Sequence, residues 1–167
     1  MQEGFSKTSV FENRSQMAPP LSKCWGTPYW GRIIDSAAES LGMDTRKIVF
    51  DLAIDHCKID LKRAVSLGLI INELVTDSLK YAFPDGRTGR IRVRFERWAT
   101  NLRLEFADNG IGLPSDFELE KSKGFGLNLI AMLVKQLDAE LFIGRGTAGV
   151  QFDLSLPLAE WWTGEKA

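Results

Sequence analysis

Between Leu61 and Phe83 the chain reads LKRAVSLGLIINELVTDSLKYAF, without proline, and Ala64, Leu67, Gly68, Ile71, Leu74, Val75, Ser78 and Ala82 recur at helical spacing. Such a stripe specifies an amphipathic helix, and its apolar side needs a second layer to cover it. Strand-like alternation supplies that layer. KIVFDLAID (47–55), GRIRVRFERW (89–98) and NLRLEFAD (101–108) alternate with period two, the last two forming a hairpin through Ala99 and Thr100. DAELFIG (138–144) and GVQFDLSLPL (149–158) make a second pair around residues 145–148. A second helix spans 124–137, and Trp30, Ile33, Ile34, Ala37, Ala38 and Leu41 mark a short one over 29–41 that stops at Gly42. This order predicts an α+β fold, a two-layer α/β sandwich with one mixed, mostly antiparallel sheet and its helices on one face.

At 167 residues the chain has room for one domain, which we place at 28–158 between tails at 1–27 and 159–167. Apolar residues are 44% of the sequence, enough for a single core. With 21 basic and 22 acidic residues the net charge is −1, which argues against a nucleic-acid-wrapping or membrane-coating protein. Cys24 and Cys57 lack zinc-site spacing and have one histidine for company, so two free thiols are expected in preference to a disulfide. No apolar run reaches the ~18 residues of a membrane span, and the N-terminus lacks a signal-peptide core, so the expected location is the cytoplasm.

The other side of helix 61–83 carries Glu73, Asp77, Lys80 and Tyr81 in one row. Taken alone, that row is equally a solvated face with internal ion pairs. Two glycine segments follow. DNGIGLP (108–114) leaves a strand, and its glycines at 110 and 112 let a flat ligand approach the backbone. Asp108 at that strand end can accept a charge-assisted hydrogen bond from an exocyclic amine such as that of adenine, although Asp-Asn-Gly is also an ordinary turn. Gly124 and Gly126 open the second helix, whose free amides are a place for phosphate, with Lys121 and Lys123 just before it.

In this order the segments resemble the ATP-binding domain shared by sensor histidine kinases, type II topoisomerases, a heat-shock chaperone and mismatch-repair ATPases. LGLIINELVTDSLKYAFPDG (67–86) resembles the N box, DNGIGLP the first glycine box, KGFGLNLI (123–130) the second, and GTAGVQFDLSLP (146–157) the closing strand segment. The wording is similar to that of the HWE and related histidine kinases, and with AESLGMDTRKIVFDLAID (38–55) the resemblance covers roughly Tyr29 to Pro157.

The resemblance implies the Bergerat ATP-binding fold, with ATP and Mg²⁺ as ligands. It implies that Asp108 binds the adenine amine, that Thr147 supports it, and that Gly110 and Gly112 lie under the base. Tyr81 would pack beside base or ribose, and Lys80 would reach the phosphates; Lys123, by its place just before the second helix, either neutralises phosphate oxygens or is a solvated side chain. Gly124, Gly126 and Leu127 would end the lid over the triphosphate. Glu73 matches the acidic residue that activates water in the hydrolysing relatives and organises metal and phosphate in kinases.

This chain departs from the pattern twice. Asp77 stands where the family usually has a magnesium-ligating asparagine; a carboxylate is also a hard oxygen ligand, but it adds charge opposite a triphosphate. The helical hairpin that carries the phosphoacceptor histidine and dimerises in such kinases has no match, and His56, at a strand end, has no counterpart as an acceptor. The expected function is therefore a histidine-kinase ATP-binding domain acting with a separate histidine-bearing dimerisation domain or response regulator. The alternatives are a non-enzymatic adaptor of two-component signalling and an anti-sigma-factor-like serine kinase.

Overall fold

The computed structural model describes residues 31–34, 36–37, 47–55, 59–114, 125–145 and 149–157. Five strands form one sheet: β1 (Ile48–Ile54), β2 (Gly89–Trp98), β3 (Asn101–Asp108), β4 (Glu140–Arg145) and β5 (Val150–Pro157), in the order β1-β2-β3-β5-β4. β1 and β2 run parallel and every other pairing is antiparallel. Parallel neighbours need a crossover, and helix α1 (Leu61–Asp77) supplies it. Helix α2 (Phe125–Gln136) lies between β3 and β4 in sequence.

Alternation sorts the side chains into two faces. Ile91, Val93, Phe95, Leu102, Leu104, Phe106, Phe152, Leu154 and Leu156 are buried in one cluster with Leu67, Ile70, Ile71, Leu74 and Val75 of α1 and Ile130 and Leu133 of α2. Both helices thus cover the same face, as the sequence pattern predicts. The other face is polar. There Arg103 donates to Asp153 from Nε at 2.9 Å and lies 3.5 Å from Glu105, while Arg92 lies 3.5 Å from Asp51. The hydrogen bond from Arg103 to Asp153 raises the arginine's proton affinity further, with the nearby carboxylates adding to it.

α1 starts at Asp60, whose side chain accepts the Arg63 N–H at 3.0 Å and fills the N-cap role. Periodicity predicts an α-helix as far as Phe83. Instead the helix widens after Asp77 into a single π turn, Ser78–Ala82. The Ser78 N–H is shared between the Leu74 and Val75 carbonyls at the junction, and the turn's last carbonyl, Ala82, accepts the Ile111 N–H at 3.0 Å. One extra residue in the ladder lets Ser78 and Ala82 face inward while Lys80 and Tyr81 face out. Such single-turn widenings concentrate at functional sites.

The second strand pair begins later than its alternation suggests. Asp138, at φ 50°, ends α2: its N–H bonds to the Lys135 carbonyl and that of Ala139 to the Val134 carbonyl. This is a Schellman cap with aspartate in the left-handed position usually given to glycine. β4 therefore starts at Glu140. Of the helix expected over 29–41, the described residues 31–34 and 36–37 are helical, with Ile34 and Ala37 buried. His56, both cysteines, Trp25, Trp30 and the Trp161-Trp162 pair lie outside the described residues.

Candidate functional site

β3 ends on Asp108, a residue only 8% exposed. Each of its carboxylate oxygens has a fixed partner. Ser78 Oγ donates to Oδ2 at 2.7 Å and the Gly110 N–H donates to Oδ1 at 2.8 Å. A carboxylate oxygen offers about two lone-pair sites, so both oxygens keep capacity for a ligand. The π turn thus carries the hydroxyl that orients the strand-end acid.

The segment after Asp108 is locked at three points. The Asn109 side-chain oxygen accepts the Arg90 N–H at 2.7 Å, which extends the β2 to β3 ladder past the strand end. Gly110 lies flat on the π turn, where a Cβ would collide with Ala82. Gly112 is at φ 78° and faces Gly149, itself at φ 79°, and a Cβ on Gly149 would collide with the Asp108 carbonyl. Glycine is required at 149 by both conformation and space. It sits at the start of β5, next to residues 146–148.

Across from Asp108, the first turn of α2 approaches α1. A Cβ on Gly126 would lie 2.5 Å from Glu73 Oε2 and 3.6 Å from Asp77 Oδ2. Both carboxylates therefore flank one point on α2, within roughly 6 Å of each other, close enough to interact electrostatically. Among the described residues no ion pair joins Glu73 or Asp77 to Lys80, so the row is not the self-paired solvated face that spacing alone also allowed. Burial raises the pKa of Asp77, and the negative Glu73 raises it further; Lys80 opposes both.

Between these walls lies a cleft of ≈ 560 Å³, within the size range of small-ligand and cofactor sites. Of the residues singled out from sequence, Glu73, Asp77, Lys80, Tyr81, Asp108, Gly112, Gly126 and Leu127 line it. Gly110 lies behind Asp108 against Ala82. Lys123, Gly124 and Thr147 fall outside the described residues. Sequence reasoning passed over four kinds of contributor: the Ser78 hydroxyl, the close-packed Gly149, the apolar walls Leu113, Val150 and Phe152, and Phe125 at the mouth. With Glu73, Asp77, Lys80 and Asp108 beside the apolar Leu113, Val150 and Phe152 in its lining, the cleft offers both the polar and the apolar surface that a heterocycle joined to an anionic tail would need.

Comparison with known proteins agrees with this geometry. Residues 62–160 match the family described as histidine kinase-, DNA gyrase B-, and HSP90-like ATPase, and the chain belongs to that family. Its nucleotide-binding fold is that of sensor histidine kinase catalytic domains, and ATP is the ligand the family implies. The chain is 28% identical over 133 residues to blue-light-activated histidine kinase 2 of Erythrobacter litoralis, covering 79% of this chain and 38% of that one. It is 40% identical over 85 residues to the sensor histidine kinase PdtaS of Mycobacterium tuberculosis, covering 50% of this chain and 17% of that one. The chain thus spans well under half the length of either relative.

Among solved structures, the histidine kinase domain of the E. litoralis EL346 blue-light-activated kinase superposes with a TM-score of 0.71 at 28% identity, covering 79% of this chain and 60% of that one. Histidine kinase AdeS of Acinetobacter baumannii, at 16% identity, shares the fold with a TM-score of 0.61 over 77% of this chain and 64% of that one. Among the described residues no helix is long and apolar enough to cross a membrane.

Proposed function

We propose that this chain is the catalytic domain of a two-component histidine kinase, holding Mg·ATP in the cleft and presenting its γ-phosphate to a histidine supplied by a dimerisation hairpin, in the cytoplasm. The observation that carries the proposal is the Asp108 carboxylate, buried and held by Ser78 and Gly110 in a cleft that Glu73, Asp77 and Lys80 also line. An adenine amine donating to Asp108 would fix the base. Gly112 would leave room beneath it, and Tyr81, 68% exposed at the rim, would cover base or ribose. Lys80 would meet the phosphates, joined by Lys123, while Gly124, Gly126 and Leu127 would close over them; Thr147 would back up Asp108.

The donor set suits magnesium. Glu73 and Asp77 offer hard carboxylate oxygens, and no group of three or more acidic, histidine or cysteine side chains stands together among the described residues. Magnesium usually takes one or two carboxylates and completes its shell with phosphate oxygens and water. When bound it would neutralise charge on the phosphates. The protein's own part is positioning, because phosphoryl transfer needs donor and acceptor aligned at about 3 to 3.5 Å more than it needs covalent help.

The test is labelling with γ-labelled ATP. The chain alone should not label itself, whereas adding a histidine-bearing hairpin from a related kinase should give a hairpin-bound, acid-labile label. Acid-stable label would indicate a serine kinase. No transfer to any hairpin or response regulator despite tight Mg·ATP binding would indicate an adaptor, and label on the chain alone that His56→Ala removes would overturn the proposal.

A further inference from the structure

On the side of the sheet away from the helices, cross-strand partners stand in rows: Trp98, Asn101 and Pro157 in one, Glu96, Arg103, Ser155 and Glu140 in the next, and Arg94, Glu105, Asp153 and Phe142 in a third. An open groove of ≈ 470 Å³ crosses them, lined by Trp98, Arg103, Glu140, Phe142, Asp153 and Ser155. Among its described lining residues Arg103 alone is basic, and it is already engaged by Asp153 with Glu105 at 3.5 Å and Glu96 at 3.8 Å. The groove is therefore poorly suited to an anion. What it offers is aromatic surface: Trp98 is 62% exposed, Phe142 is 68% exposed, and the Arg103 guanidinium stands 5.9 Å from the centroid of the Trp98 ring.

β5 delivers the chain to this groove. Its last residue, Pro157, shares a row with Trp98 two strands away, a separation of roughly 10 Å. The sequence continues LAEWWTGEKA over 158–167, outside the described residues. Four residues of extended chain reach up to ~14 Å, so Leu158, Ala159 and Glu160 are enough for the chain to turn back and set Trp161 and Trp162 over the rows it has just left. Two adjacent indoles carry a large apolar surface that gains by leaving water. We infer that the segment after β5 folds back onto the open face of the sheet, with its Trp161-Trp162 pair packed into the groove between Trp98 and Phe142. This role is separate from nucleotide binding, which concerns the opposite face, and it covers aromatic surface that would otherwise invite association.

The full chain labelled with 5-fluorotryptophan tests this, each fluorine signal being assigned by replacing one tryptophan at a time with phenylalanine. In the monomeric parent at least one of the Trp161 and Trp162 signals should be displaced from the position of free 5-fluorotryptophan and relaxed several-fold less by a dissolved gadolinium chelate. Phe142→Thr, an exposed change that keeps a strand-favouring residue, should return that signal towards the free position. The reciprocal variant, Trp161→Ser with Trp162→Ser, should increase relaxation of the Trp98 signal and leaves every strand residue in place. Tail signals at the free position with full relaxation in the parent would overturn the inference, as would signals unmoved by Phe142→Thr in a chain that still unfolds cooperatively. A displacement that appears only as protein concentration rises would overturn it in favour of a second copy, and one that appears only on adding a kinase hairpin would overturn it in favour of that partner. ADP affinity should be equal in parent and variants, because groove and cleft lie on opposite faces; a loss on removing the two tryptophans would place the segment at the cleft and overturn the inference while leaving the nucleotide reading intact.

Discussion

Asp108→Asn replaces one oxygen by an amide nitrogen at nearly constant volume, and so isolates hydrogen-bond polarity at this point of the cleft lining. Asparagine has one acceptor oxygen where aspartate has two. If that oxygen keeps the Gly110 N–H, the amide NH₂ takes the place of Oδ2 and donates to Ser78 Oγ, whose own hydrogen must turn to a helix carbonyl one turn back. Both partners stay bonded, so the folding cost should be only about 0.5 to 1.5 kcal/mol. For the ligand the consequence is larger: an amine donor would meet an amide donor, with loss of a charged hydrogen bond worth about 1.5 to 3 kcal/mol, or roughly ten- to a hundredfold in ADP affinity. A nucleotide carrying oxygen in place of the amine, such as IDP, should lose far less or gain. Calorimetric titration of ADP and IDP, beside thermal unfolding of both proteins, makes the measurement. If the folded variant binds ADP as tightly as the parent, Asp108 is not the adenine acceptor and the placement of the nucleotide is wrong.

Three further expectations follow from local geometry. Gly149→Ala puts a methyl group into the Asp108 carbonyl at a left-handed φ, and should cost about 2 kcal/mol or more in denaturant unfolding while also weakening ADP. Ala99→Gly relieves a left-handed alanine at φ 53° in the β2 to β3 turn, and should raise stability by about 0.5 to 1 kcal/mol, read as a higher denaturation midpoint at unchanged slope. The pKa of Asp77 is raised by burial and by Glu73 above the ordinary aspartate value of 3.8, so in the nucleotide-free protein the folded state holds that proton more tightly than the unfolded chain. Ionising Asp77 then lowers stability as pH rises from 3.8 through the raised value, and Asp77→Asn should melt higher than the parent at neutral pH, with the gain vanishing below pH 3.8.

The sheet was legible because its strands obey one rule throughout: β2, β3 and β5 alternate cleanly, and a single slip in register would turn the whole core outward. What sequence period does not encode is a change of ladder inside an element. The π turn differs from α-helix by one residue, and 78–82 read equally well on an ordinary helical wheel. Helical spacing places Ser78 on the covered side, where the structure also has it, but a hydroxyl on an apolar stripe says only that it needs a partner. The partner is thirty residues away in sequence, at the end of β3. Gly149 was hidden for a similar reason, since a glycine ahead of a strand reads as turn chemistry until the Asp108 carbonyl is seen beneath it. Asp138 misled in the opposite sense, because D-A-E-L-F alternates well enough to pass for the opening of a strand.

The two walls of the cleft are held in different ways. Ile130 and Leu133 are the buried residues of α2, and both lie beyond its first turn. That first turn instead presents Phe125, 82% exposed, and Gly126, whose missing side chain leaves room for Glu73. The opposite wall is held by the Ser78 to Asp108 hydrogen bond and by Ile111 on the Ala82 carbonyl. On the proposed reading, a base-binding side fixed by these bonds would face a phosphate-binding side held through Leu127 and the later turns of α2, so recognition of the base and closure over the phosphates would be separate steps. Segments that order on binding come from the low-stability end of a structure, and a ligand that bridges both walls stabilises the folded state in proportion to the logarithm of its occupancy. Protection from amide exchange on adding Mg·ATP should therefore increase most at residues 125–128 and least at 104–108, whose ladder is already complete on both sides.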